Sequence, residues 1–535
     1  MATSHSELPS DVASLRQLAL EQSARLDQQA AQLESQKSYI EALEEALRLG
    51  RHQRFASSSE ATPKEQLGFF DEAEATLAEA ESEADEVQVP AHTRKRRGGR
   101  KPLPEALPRV ELVHDLEDKT CPHDGHALEE IGRETSEQLD VVPARVQVIR
   151  HVRPKYACPA CKTGVHVAPM PPSLAPKSLV SPGLLAYVAT AKYADALPLY
   201  RQETILQRAG IDVSRATLAH WMVRFGQGVQ PLVNLMRETL LAGDFLQMDE
   251  TRYQVLKEPG KRAQSQSYLW VQRGEPALGQ PIVLYDYDPS RSGTVPVRLL
   301  EGFRGYLQTD GYEGYEAVCE ANGLVHVGCW AHARRKFDEA VKGQGRGALR
   351  KKASHRSAKE TKALQGLDQI RRLYGVEKKL AGKAPDERHR LRQELAAPVL
   401  AELRTWLDAS LGSVPPKSLT GKALGYLDKQ WPKLVRYLDD GRIPMDTNYV
   451  ENAIRPFVVG RKNWLFADTV HGAEASANLY SLVQTARMNL LEPWAYLRLI
   501  AEELPMATTL EEIEALLPHR LSAEQLAKMR PDAVR

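Results

Sequence analysis

Two short apolar runs that each end in an aspartate constrain this chain more than any other feature: Phe245-Leu-Gln-Met-Asp249 and Gly305-Tyr-Leu-Gln-Thr-Asp310. Runs of this length, bounded by Gly and polar residues, read as buried strands. The same texture recurs between and after them. Residues 267–272 and 281–286 read as strands, 294–300 and 314–322 as helices, 325–328 as a fifth strand and 329–340 as a helix. A surface acid needs no apolar run in front of it, so two strand-end carboxylates 61 residues apart ask for a chemical reason.

Three strands, helix, strand, helix, strand is the order of an RNase H-like α/β core. In such a sheet a carboxylate on the first strand faces one on the fourth, and an acid from a later helix closes the site. The segment Asp446-Thr-Asn-Tyr-Val-Glu451-Asn-Ala-Ile-Arg455-Pro opens a helix, with Thr447 or Asn448 as its cap, and offers Glu451. Glu451 lies 141 residues after Asp310, so the mainly helical span between them reads as an insertion. Phosphodiester hydrolysis and strand transfer are in-line displacements, assisted by two Mg2+ ions about 3.5–4 Å apart. Mg2+ prefers carboxylate and water oxygens. Asp249, Asp310 and Glu451 are the expected ligands of two Mg2+ ions, with Mn2+ able to substitute, and the expected catalytic acids. His332 in Cys329-Trp-Ala-His332 stands on the first turn of its helix and is a candidate contact to the scissile phosphate. Two other readings stay open: half of a metal site with no second half evident, or a core Cys329 beside a structural His332.

Upstream, Val12, Ala19, Leu26, Leu33, Ile40 and Leu47 recur every seven residues, with Leu15, Gln22, Gln29, Gln36 and Leu43 as companion seam. This pattern predicts a coiled coil for self-association over 11–49, or else one amphipathic helix packed on its own chain. Residues 50–104 read as a disordered linker, with eight acids in Asp71–Glu86 and then six basic residues in Arg94–Lys101. Arg94, Arg97 and Arg100 beside Gly and Pro suit an arm in a DNA minor groove. Residues 105–170 read as a zinc-ribbon-like module. Cys158-Pro-Ala-Cys161 supplies two thiolates, and Cys121 with His123 or His126 would complete the four N/S ligands of a structural Zn2+. Alternation through Val146, Val148 and Val152 suits ribbon strands within 137–156. Residues 178–235 read as a helix-turn-helix: Ser181-Pro182 starts one helix, a second ends at Gly210, and Ser214 caps a third. Arg215 to His220 would face the major groove.

The formal net charge of +1 hides local clusters, since Lys342–Arg372 holds ten Lys/Arg against two acids. Arg334, Arg335, Lys336, Arg455, Arg461 and Lys462 lie near the acids in sequence and are candidate DNA contacts. Five cysteines are too few for a disulfide scaffold and fit a reducing cytosol. No run approaches the ~20 apolar residues of a membrane span. The expected setting is the cytoplasm.

The most specific segments are Gln308-Thr-Asp310-Gly-Tyr-Glu-Gly-Tyr315, Cys329-Trp-Ala-His332-Ala-Arg-Arg-Lys-Phe337, Asn448-Tyr-Val-Glu451-Asn-Ala-Ile-Arg455-Pro, Arg461-Lys-Asn-Trp464-Leu-Phe-Ala467 and Thr485-Ala-Arg-Met-Asn489. With these, nearly the whole chain resembles the insertion-sequence-66 family of bacterial transposases. The resemblance implies a DDE triad at Asp249, Asp310 and Glu451, a leucine-zipper-like start, a zinc finger and a helix-turn-helix. It also implies action on the terminal inverted repeats of double-stranded DNA, and two small accessory proteins encoded by the same element. One departure is Cys121-Pro-His-Asp124, where the family has Cys-x2-Cys.

The expectation is a multidomain α+β chain. It has a coiled coil (11–49), a linker (50–104), a zinc-finger-like module (105–170) and a helix-turn-helix (178–235). An RNase H-like core (240–340 and 445–490) holds an α-helical insertion (341–444), and a helical region (491–535) ends the chain. Such a protein would cut the ends of an insertion element and join the 3′-hydroxyl to target DNA. The alternatives are a degenerate DNA-binding regulator and a nuclease that cuts without joining.

Overall fold

The computed structural model describes scattered positions of a helix between 22 and 47, then 110–111, 146–157, 165–277, 280–344 and 361–528. Cys121, His123, His126, Cys158, Cys161, Arg94, Arg97 and Arg100 lie outside the described residues. The chain divides into two compact units, 81–152 and the remainder. In the first, 146–152 are exposed and in no strand. In the second, β1 (Lys155–Tyr156) pairs antiparallel with β2 (His166–Val167). Of the ribbon expected over 137–156, residues 137–145 lie outside the described residues, and the strand that is described, β1, stands at its end. In the N-terminal helix the described seam residues Leu26, Leu33, Ile40, Leu43 and Leu47 are all exposed.

Four helices lead into the sheet: α1 (Pro182–Tyr193), α2 (Leu199–Arg208), α3 (Arg215–Gly228) and α4 (Gln230–Leu241). Ser181 caps α1 by accepting from Leu184 N, with Pro182 in the first turn. Between α2 and α3 the chain turns at Gly210, whose φ of +80° suits a residue without Cβ. Ser214 caps α3 through Thr217 N, and Glu203 of α2 accepts the Arg215 N–H at 2.9 Å. The later half of α3 buries Trp221, Met222 and Phe225. Its first turns remain open, with Arg215 and His220 exposed.

The sheet contains β3 (Phe245–Lys257), β4 (Gln266–Ala277), β5 (Gln280–Asp288), β6 (Tyr306–Gln308), β7 (Val325–Val327) and β8 (Ala467–Thr469). Its order is β5-β4-β3-β6-β7, with β8 beside the far end of β3. The β3–β4 and β4–β5 pairs are antiparallel, whereas β3–β6 and β6–β7 are parallel. The parallel pairs need crossovers. Helices α5 (Thr294–Leu299), α6 (Glu316–Asn322) and α7 (Trp330–Gly343) follow β5, β6 and β7 in turn. After β8 come α12 (Val470–Met488) and α13 (Pro493–Glu503). Helix α12 satisfies the open edge of β5, which would otherwise be a sticky row of backbone groups. Ser481 accepts from Tyr285 N at 2.9 Å, Thr485 Oγ1 bridges Val283 N and O at 3.0 Å each, and Asn489 donates to Pro281 O at 2.9 Å.

Between α7 and α11 (Asn448–Trp464) lie α8 (Lys362–Lys379), α9 (Pro385–Leu411) and α10 (Leu419–Leu434). Leu367, Ile370, Leu403, Leu407 and Leu427 pack with Trp330 and Phe337 of α7 into a second hydrophobic core. One cation ties this core to the segment entering α11. Arg392, fully buried, meets Glu377 through two bonds of 2.9 and 2.7 Å and donates to Tyr437 O and Asp440 O. Truncating one side of such a pair strands a buried charge, at a cost of about 3–5 kcal/mol. Arg392→Ala is expected to lower the thermal midpoint by several degrees and to loosen residues 437–450. Thermal unfolding with hydrogen exchange reads both, and unchanged protection of that segment would count against the tether.

Candidate active site

The β3–β6 register brings the two aspartates together. Pairing matches Phe245 with Tyr306, Leu246 with Leu307 and Gln247 with Gln308, the same 61-residue offset that separates Asp249 from Asp310. Two residues further along, Asp310 lies just past the end of β6, whereas Asp249 lies within β3, which runs on to Lys257 instead of ending at the acid as expected, because β4 and then β8 continue to pair with it. Side chains i and i+2 share a face, so Gln247 and Gln308 lie beneath the acids. Both are fully buried. Gln247 Nε2 donates to Gln308 Oε1 at 2.7 Å and to Asp446 O at 2.9 Å, and Gln247 Oε1 accepts from Val450 N at 3.0 Å. Gln308 Nε2 donates to Pro444 O at 2.9 Å and Gly328 O at 3.2 Å. The pair joins β3, β6, the end of β7 and the entry to α11, and Glu451 directly follows Val450.

Thr447 stands at the N-cap of α11, one of the two expected positions, but its side chain makes no capping bond. Asp446 Oδ1 accepts from Asn448 N at 3.2 Å, while its other oxygen takes the Tyr374 hydroxyl at 3.1 Å. Thr447 is free of capping because its hydroxyl stands 2.9 Å from Glu451 Oε1 and 3.2 Å from Cys329 Sγ. Glu451 is 1% exposed, with His332 Nδ1 at 3.9 Å from Oε1. Burial beside Arg335 and Lys336 drives the His332 imidazole down to about 3, so it is neutral near pH 7.

Asp249 shows what the arrangement costs. Burial first, then the charges of Asp310, Glu250 and Glu451, hold its carboxyl well above the usual range. Glu250 is a fourth acid beside the site. It is raised by burial and by Asp310, and is held by Arg291 and by the Tyr315 hydroxyl at 2.6 Å. Arg291 also stacks 4.0 Å over Tyr312, whose N–H donates to Asp310 Oδ1 at 2.9 Å. Gly311, at φ +91° and with Gln430 close by, makes the intervening turn. The three acids do not bring their oxygens within 4.8 Å of one another, a spacing that among the described residues only Cys329, His332 and Glu451 reach; Asp249 and Asp310 are nonetheless crowded hard oxygen donors, whose repulsion a divalent cation relieves.

The candidate DNA contacts divide. Lys336 and Lys462 are exposed, and Arg335, Arg455 and Arg461 are half-buried. Arg334 is 9% exposed, which moves it from the expected surface into the interior. Arg461 donates to Thr251 Oγ1 at 3.2 Å and to Arg252 O, tying α11 to β3 just past Asp249. Sequence reasoning missed Gln247, Gln308 and Glu250. A signal existed for the first two, since Gln-x-Asp occurs in both strands, as Gln247-Met-Asp249 and Gln308-Thr-Asp310.

Comparisons with known proteins agree in direction. The family profile "Transposase IS66 family" matches residues 177–475. Profiles for the "zinc-finger binding domain of transposase IS66", the "Transposase C of IS166 homeodomain" and the "IS66 C-terminal element" match 118–162, 42–112 and 481–519. Two uncharacterized proteins of Sinorhizobium fredii are similar. One, y4qI, is 34% identical over 88% of this chain and 85% of its own length. The other, y4jD, is 33% identical over 80% and 83%. The chain belongs to the IS66 family of transposases.

A raised carboxyl makes folding compete with ionisation. Folded Asp249 keeps its proton to higher pH than the unfolded chain does, so stability falls as pH rises from the unfolded value through the folded one. Asp249→Asn keeps an oxygen for the Glu250 N–H and removes the charge. The metal-free variant is expected to melt above wild type at pH 7, with the gap closing below about pH 4. Thermal melts across pH check this, and a lower midpoint for the variant at pH 7 would show a favourably paired carboxylate instead.

Proposed function

We propose that this IS66-family transposase cuts DNA at the inverted-repeat ends of an insertion element and joins the exposed 3′-hydroxyl to target DNA. The proposed site is a divalent-metal centre held by Asp249, Asp310 and Glu451. The observation that carries the reading is the shared 61-residue register: Asp249 within β3 and Asp310 just past the end of the adjacent parallel β6, with Glu451 delivered by the same glutamine pair. The sheet order β5-β4-β3-β6-β7, with its first three strands antiparallel, supports an RNase H-like core. The fit of acids to ion supports Mg2+, with Mn2+ as substitute. Bound there, two such cations activate the attacking oxygen and stabilise the leaving one.

The chain's own residues do the rest. Asp249 and Asp310 hold their carboxylates on a rigid sheet, and Gln247 and Gln308 keep α11 from drifting. Exposed Lys336 and Lys462, with Arg335 and Arg455 behind them, would hold phosphates near the acids. His332 would act as a neutral hydrogen-bonding group. Arg215 and His220 on the open end of α3 would contact the inverted repeats, and Arg94, Arg97 and Arg100 would add a basic arm. The exposed heptad seam supports pairing of two DNA ends through self-association. Small accessory proteins of the same element would join that assembly on DNA of the bacterial cytoplasm. Cys121, Cys158 and Cys161 with His123 or His126 would hold one structural Zn2+.

The test is Mg2+-dependent cleavage and joining on a DNA end with a separate target duplex. Asp249→Asn, Asp310→Asn and Glu451→Gln are each expected to fall below about 1% of wild type. Wild-type rates in all three would reject the site, and cleavage without joined products would leave a nuclease. For zinc, metal analysis of the full chain should find one equivalent fewer in the Cys158→Ser, Cys161→Ser double variant. Undiminished zinc there would remove those ligands.

A further inference from the structure

Glu451 also belongs to a second group of potential ligands that the proposed function leaves unused. Cys329 Sγ, a ring nitrogen of His332 and a carboxylate oxygen of Glu451 all lie within 4.8 Å of one another. They come from two directions: Cys329 and His332 from the start of α7, Glu451 from the first turn of α11. A tetrahedral zinc with ordinary bond lengths sets its donor atoms about 3.3–3.8 Å apart. A contraction of at most about 1–1.5 Å would therefore bring the three donors onto one ion.

Two further features suit a thiophilic metal. The sulfur accepts the Thr447 N–H at 3.3 Å, the kind of outer-shell hydrogen bond that steadies a ligating thiolate. Thr447 Oγ1 bridges Cys329 Sγ and Glu451 Oε1, so one side chain aligns two of the three donors. Cys329 and Glu451 are each 1% exposed and His332 Nδ1 is buried, so the donors sit in the interior and a fourth ligand would be a water admitted with the ion. A set of one sulfur, one nitrogen and one oxygen disfavours Mg2+ and favours Zn2+.

We propose that Cys329, His332 and Glu451 form an inhibitory Zn2+ site that withdraws Glu451 from the acids of the active centre. On binding, the thiol proton leaves to solvent and the sulfur becomes a ligand. Glu451 cannot then complete the site with Asp249 and Asp310, so zinc and the catalytic ions exclude each other. The exclusion rests on the catalytic reading of Glu451, whereas the binding itself does not.

The test uses full-length protein with its zinc-finger module zinc-loaded, adding one equivalent of Co2+ and reading X-ray absorption at the cobalt edge. One sulfur among nitrogen and oxygen ligands is expected in wild type, and an all-nitrogen/oxygen shell in Cys329→Ser. A shell without sulfur in wild type overturns the site. So does a shell of several sulfurs, which assigns the cobalt to Cys121, Cys158 and Cys161. In the second arm Zn2+ is titrated into Mg2+-supported cleavage, each protein normalised to its own zinc-free rate. Half-inhibition is expected to need at least about 10-fold more zinc in Cys329→Ser and in His332→Asn than in wild type. Equal zinc sensitivity in all three overturns the inhibition. Cobalt held through Cys329 without zinc inhibition overturns the exclusion alone and returns Glu451 to question as a catalytic ligand.

Discussion

The hydrogen bond between Gln247 and Gln308 is the contact on which the arrangement of this protein depends. Each amide lies two residues before an aspartate, and between them they reach the backbone at 328, 444, 446 and 450. Primary amides suit the task because each carries donors and an acceptor. A buried amide left without partners costs about 1–3 kcal/mol for each unmade bond, so the pair fixes the four segments in one register. An apolar substitute would fill the space without specifying where α11 enters.

That specification matters because the third acid arrives from far away in sequence. The second hydrophobic core, closed on α7 by Trp330 and Phe337, returns the chain to the sheet. Arg392 binds its exit at Tyr437 and Asp440, and Trp330 adds a bond to Leu434 O at 2.9 Å. Without these tethers a long excursion would deliver Glu451 over a range of positions. The insertion thus positions an acid that it does not itself contain. The strain is electrostatic: Asp249, Glu250, Asp310 and Glu451 crowd one region, and Asp249 bears the cost in its raised carboxyl.

Much of this could be read from the residues because apolar strand runs and helix caps leave local marks, although β3 runs on past Asp249 where a strand end was expected. The apolar runs before Asp249 and Asp310 anticipate β3 and β6, and Ser181, Gly210 and Ser214 mark the helices and turn now seen as α1 to α3. The 61-residue spacing appeared as a count but is a strand register, which only pairing reveals. Other features depend on distant partners and left no pattern to read. Glu250 drew no reading because the Arg291 and Tyr315 that enclose it are distant in sequence, and Arg334 read as a DNA contact although α7 turns it inward. Thr447 carried a cap signal and does stand at the N-cap, but Glu451 and Cys329 took its hydroxyl, and Asp446 accepts the Asn448 N–H instead. Strand β8 is three residues long and exists only because β3 overhangs to meet it.

The most direct test of the central claim is a crystal of the protein grown with Mn2+ and examined by anomalous scattering. The account predicts manganese peaks within coordination distance of the Asp249, Asp310 and Glu451 carboxylates, above the buried glutamine pair. Manganese bound elsewhere, with those three carboxylates facing only water and protein, would contradict it.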